Sequence, residues 1–165
     1  MTAQVKQLFT IGIYGFDATA FVVALRHAGV DAVVDIRARR GMRGPQYAWA
    51  NSRRLQELLA DAGIGYLHLP EFSPTAGIRN LQRAADRESS IAKRDRGRLS
   101  AAFIEAYERE ILRSDSLARF LTALPEGVSN PAILCVERLP DACHRSLLAA
   151  GLHAGSRAPV QDLVP

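Results

Sequence analysis

Short apolar runs alternate along this chain with segments of helical period. Leu8-Phe9-Thr10-Ile11-Gly12-Ile13 is apolar and partly β-branched and is stopped by Tyr14-Gly15, which predicts a first buried strand. Asp17 is placed to cap a helix with Phe21, Leu25 and Ala28 on one face, and Gly29 supplies its left-handed stop. Residues 30–36 follow as a strand. The unit then repeats: Asn51 or Ser52 starts a helix with Leu55, Leu58, Leu59 and Ala62 at helical spacing, Gly63 ends it, and residues 64–69 form a strand closed by Pro70.

Between Pro74 and Gly97 the apolar period is lost among mixed charges, which predicts a mobile excursion or a solvated helix. It returns with Ala102, Phe103, Ala106, Tyr107 and Ile111 on one helical face. A second helix, capped by Ser114 or Asp115, carries Leu117, Phe120, Leu121 and Leu124. Residues 131–136 read as a strand, 142–152 as a helix and 159–164 as a last short strand. Strands alternating with helices argue for a three-layer α/β/α domain with a mostly parallel sheet of about five strands, a Rossmann-like arrangement. No repeat or composition break divides the 165 residues, so one domain over 1–165 is expected.

Composition narrows the class. With 48% hydrophobic and 23% charged residues, the chain has the makeup of a globular domain able to bury its own core. No stretch approaches the roughly 18 apolar residues that span a bilayer, and residues 1–7 lack the pattern of a secretory leader. A cytoplasmic protein without membrane contact is the expectation. Cys135 and Cys143 are too few for a secreted disulfide scaffold, so their value is chemical.

The net charge of +4 favours anionic partners, and its distribution says more. Residues 37–54 hold six arginines and no acid, with Tyr47 and Trp49 among them, a combination suited to phosphates and nucleobases. Nucleic acid is thus a possible partner through Arg37 to Arg54, although such runs also occur as plain solvated loops.

Ligands of open α/β sheets bind beyond the carboxyl ends of the strands. That rule brings together Tyr14, Asp35 and Arg37, Glu71, and the segment from Cys135 to Arg145. This last segment is the densest in chemistry. It sets Cys135 and Glu137 at a strand end, then Cys143, His144 and Arg145 at a helix start, where the dipole and cationic neighbours favour a thiolate or a bound anion. Glu137 and His144 are the candidates for moving protons, with Cys143 as nucleophile or redox thiol. Asp35, Arg37, Arg145, Cys135 and Tyr14 are candidates for holding substrate.

The same residues admit a purely structural account. In it Cys135 is core, Glu137 pairs with an arginine, Asp35 pairs internally with Arg37, and Cys143 merely opens a helix. His68 reads as an interior or sheet-edge residue, and His27 and His153 have no chemical partner in sequence. No metal is expected: Cys135, Glu137, Cys143 and His144 lack the C-x-x-C spacing, and adjacent Cys143 and His144 do not face one point from a helix. Gly12 marks a place where backbone approaches something closely. Val34-Asp35-Ile36-Arg37 resembles the acidic and basic strand end of rhodanese-type sites. Neither cysteine, however, begins the C-x-x-G-x-R or C-x5-R loop of sulfurtransferases and cysteine phosphatases. Walker, Ser-His-Asp and H-E-x-x-H patterns are also missing.

Thr10-Ile11-Gly12, Val34-Asp35-Ile36-Arg37, Tyr66-Leu67-His68-Leu69-Pro70 and Cys135-Val136-Glu137 followed by Cys143-His144-Arg145 together resemble the domain of unknown function 488 family, over about Leu8 to Val164. The resemblance implies an α/β domain of the prokaryotic cytoplasm with those residues lining its site. It implies no activity and no cofactor. The chain departs from the family pattern at Ile13 and at Phe72-Ser73-Pro74-Thr75, where a small polar residue and a glycine-containing loop are usual. The expected function is an enzyme acting on a nucleotide, nucleic-acid base or other small anionic substrate. The alternative is a non-catalytic module binding nucleic acid or an anion.

Overall fold

A computed structural model describes residues 4–165, apart from the side chain of Arg94. Part of the segment read as lacking a leader thus lies outside the described residues. Five short strands, β1 (Leu8–Ile11), β2 (Ala32–Asp35), β3 (Gly65–His68), β4 (Pro131–Leu134) and β5 (Val160–Leu163), form one parallel sheet in the order β3-β2-β4-β1-β5. Around it stand α1 (Ala18–Ala28), α2 (Ser52–Asp61), α3 (Ala76–Glu88), α4 (Ala101–Glu110), α5 (Ser114–Ala123) and α6 (His144–Ser156). The expected mixed α/β architecture is present, and every strand pairing is parallel.

The pleat divides the core into two layers. Phe9, Ile11, Val33, Ala132 and Leu134 face Phe21 and Leu25 of α1 and Leu55 and Leu59 of α2. Leu8, Val34 and Ile133 face the other way, onto Phe120 of α5 and Leu148 and Leu152 of α6. Side chains of this kind contribute about 1.5–3 kcal/mol each when fully buried. Central strands buried on both faces explain why these runs are continuously apolar rather than alternating.

Helix ends follow local chemistry. The Asp17 carboxylate accepts from the Ala20 N–H at 2.8 Å, and Gly29 closes α1 with φ of 76°. Asn51 precedes α2, but its side chain accepts from the Met42 N–H instead of capping the helix. The segment after Pro74 is an ordered helix, α3, capped by Thr75 and packed on α4 through Ile78. Of the two expectations for this segment, the helix is realised over Ala76–Glu88. The arginine-rich stretch contains a 3-10 turn at Pro45–Ala50 that the apolar pattern did not signal.

Topology opens the site. Beyond β2 the chain leads toward α2 on one layer, whereas beyond the adjacent β4 it leads into α6 on the other. Neighbouring strands whose continuations part in this way leave a crevice at their carboxyl ends. Asp35 is in register with Leu134, so Ile36 and Arg37 emerge beside Cys135 and Val136 at the mouth of that crevice. Among the described residues, no helix is long and apolar enough to cross a membrane.

Candidate active site

Cys135 follows β4, its N–H donating to the Ile11 carbonyl at 3.2 Å. The chain then loops through a 3-10 turn at Pro140–Ala142 to Cys143, the N-terminal cap of α6. Cys143 has extended backbone (φ −135°, ψ 142°), which turns its side chain out of the helix and back toward Cys135. His144, the first helical residue, completes the group. Its Nε2 lies 3.7 Å from the Cys135 Sγ and its Nδ1 lies 3.9 Å from the Cys143 Sγ. The Tyr107 ring packs 5.5 Å from the imidazole, and its hydroxyl donates to the Phe72 carbonyl at 2.6 Å.

The two thiols differ in acidity. Burial opposes ionisation of Cys143. The hydrogen bond from Cys135, the charge of and hydrogen bond to His144, and the Arg145 charge overcome it and hold that thiol well below the ordinary range. Cys135 is pushed well above that range, first by its hydrogen bond to Cys143 and then by burial. Of the two sulfurs, the surroundings thus favour the negative charge on Cys143 and the proton on Cys135. Glu137 is raised by burial and by the Cys143 charge, against Lys93, Arg96 and Arg145.

Arg145 is fully buried. Its Nη1 and Nη2 donate to the carbonyls of Glu137 and Arg138, which fastens the loop to α6. Gly12 makes this possible, because a Cβ there would overlap the Glu137 carbonyl and crowd the Arg145 guanidinium. The close approach expected at Gly12 is thus to the site loop itself.

Beneath the opposite wall lies a buried ion pair. Arg37 donates from Nε and Nη2 to the two Asp35 oxygens at 2.9 and 2.7 Å and from Nη1 to the Ala50 carbonyl at 3.0 Å. Tyr66 donates its hydroxyl to Asp35 at 2.7 Å. Its acidity is pushed to about 12 by burial, with Asp35 raising it further and Arg40 opposing, so it remains a donor. His68 bonds the Arg37 carbonyl through Nε2 at 2.8 Å, in keeping with a satisfied sheet-edge residue.

A cavity of about 610 Å³ joins the two walls. Cys135, Glu137, Cys143, His144 and Arg37 line it, whereas Asp35 and Arg145 are absent from its lining and act from behind it. Sequence reasoning missed the third wall, formed by Arg79, Gln82, Arg83 and Asp86 of α3, with Lys93 and Arg96 beyond. Their spacing is that of one helix face, a signal hidden because the face is polar. Of the cavity's six cationic side chains, Arg37 and Arg96 are paired with Asp35 and Asp86, and Arg39, Arg79, Arg83 and Lys93 against the Glu137 carboxylate give it a positive field. Tyr14 lines a neighbouring depression with Tyr47. Trp49 instead packs on Phe21, its ring 4.9 Å away, and Arg53 is exposed and paired with Glu57, so the arginine-rich stretch is not one surface. His153 bonds the Ala158 carbonyl through Nδ1 at 2.7 Å.

Cys135, Cys143 and His144 offer donor atoms within 4.8 Å of one another, compact enough for a soft metal ion. The expectation that Cys143 and His144 cannot face one point is overturned, because Cys143 stands outside the helix. The same group also suits proton sharing, the Cys135 sulfur meeting Nε2 and the Cys143 sulfur Nδ1.

The fold and site define a parallel α/β domain with a paired-thiol and histidine centre at its strand ends. The chain belongs to the family described as Domain of unknown function DUF488, whose model matches residues 17–152. No curated protein and no solved structure matches it.

Proposed function

We propose that this protein is an enzyme that transfers a group from a small anionic substrate to water, with Cys143 as nucleophile. The observation that supports it is the position of the Cys143 sulfur beside Cys135 and His144 in a cavity with six cationic side chains. The field attracts the substrate's anionic groups and also favours the thiolate. The Cys143 thiolate gives its electron pair to an electrophilic atom of the substrate, and an S–substrate bond forms. The bond to the leaving group breaks with its pair, and the leaving group takes the Glu137 proton. Water then attacks the same atom, gives a proton to Glu137 and releases the thiolate. Cys135 and His144 hold the sulfur in its ionised form between turnovers.

Iodoacetamide labelling followed by mass spectrometry tests this. Cys143 is expected to react with a pH midpoint below about 8.5, the value of a free thiol, and to be protected by inorganic pyrophosphate. A midpoint at or above that value overturns the nucleophile role, and stoichiometric metal in protein purified without chelator overturns the thiol centre itself.

A further inference from the structure

The cavity around Cys143 does not end at its rim. A second depression of about 540 Å³ adjoins it, and Arg39, Lys93 and Val136 line both. Tyr14, Arg43, Gln46 and Tyr47 are among the residues that line the outer one alone. The two tyrosine rings lie 5.1 Å apart at 48°, an open wedge rather than a closed stack. Both are held from below. The Tyr14 N–H donates to the Val136 carbonyl at 3.0 Å, and the Tyr47 hydroxyl accepts from the Gly15 N–H at 3.2 Å. The Tyr14 side of the wedge faces solvent, with that residue 36% exposed, while Tyr47 rests on the core.

A rigid aromatic platform one step from a basic cavity matches a ligand with a flat ring at one end and phosphate at the other. Aromatic faces stack on any base, and arginine and lysine at the junction meet the phosphate that joins base and sugar to the reacting end. We infer that the outer depression is a base-binding subsite, so that the substrate of the Cys143 centre is a nucleotide unit with its base against Tyr14 and Tyr47 and its phosphate at Arg39 and Lys93. The inference rests on the proposed function for the basic cavity and adds the substrate class. A free nucleotide and the terminal unit of a single strand share this chemistry.

The test uses the full chain and three probes: adenosine 5′-monophosphate, ribose 5-phosphate and a short oligoadenylate, titrated by calorimetry. Stacking on this platform is expected to make the nucleotide bind roughly ten- to a hundred-fold more tightly than ribose 5-phosphate. Tyr14→Ala, at an exposed position, should erase that advantage while leaving ribose 5-phosphate binding unchanged, and Tyr14→Phe should keep it. Tighter binding of the oligoadenylate than of the mononucleotide assigns the subsite to a strand end, and equal binding assigns it to a free nucleotide. Equal affinity for nucleotide and ribose 5-phosphate, or equal loss of both in Tyr14→Ala, overturns the inference. If pyrophosphate still protects Cys143 in that event, the proposed function survives without the subsite; if it does not, both fall.

Discussion

Replacing Arg37 by Met removes one partner of an ion pair that is almost wholly excluded from water, with Asp35 0% and Arg37 2% exposed. Asp35 keeps the Tyr66 hydroxyl and the residue-37 backbone N–H but loses both guanidinium bonds, and the Ala50 carbonyl loses its donor. Breaking a buried pair from one side costs about 3–5 kcal/mol.

Urea unfolding of wild type and variant at pH 7, with unchanged m-values, measures the loss. Asp35→Asn combined with Arg37→Met should recover most of the loss, since no charge is then stranded. A deficit under about 1 kcal/mol, or a double variant no more stable than Arg37→Met alone, refutes the reasoning.

Two further outcomes follow from the site. Cys135→Ala removes the hydrogen bond to the Cys143 thiolate, and a bond to a charged acceptor is worth about 1.5–3 kcal/mol, so the labelling midpoint of Cys143 should rise by about one to two pH units; an unmoved midpoint denies Cys135 that role. Gly12→Ala drives a methyl group into the Glu137 carbonyl, and overpacking of this kind costs about 1–3 kcal/mol; calorimetric melting at wild-type temperature would show that the loop is free to move away.

The strands, and the helices ending at Gly29 and near Gly63, were legible because each has an apolar period and a chemical stop. The third wall was not. Arg79, Gln82, Arg83 and Asp86 turn a polar helix face toward a cavity, and apolar periodicity is silent about a face that packs against open space. The cluster from Cys135 to Arg145 was legible as residue types at a strand end and a helix start. Its internal roles were not, because they depend on the extended backbone of Cys143 and on Arg145 reaching under the loop instead of into the cavity. Asp35 and Arg37 were read as both a ligand pair and an internal pair, and the geometry realises the internal one.

The acidity of Cys143 has one source in its own stretch of chain and one far from it. The near source is His144 and Arg145, its neighbours at the start of α6, and the far one is Cys135, delivered by β4. A chain still unfolded holds two ordinary thiols, mostly protonated at neutral pH. The acidity of Cys143 is therefore acquired on folding, when the end of β4 and the start of α6 come together.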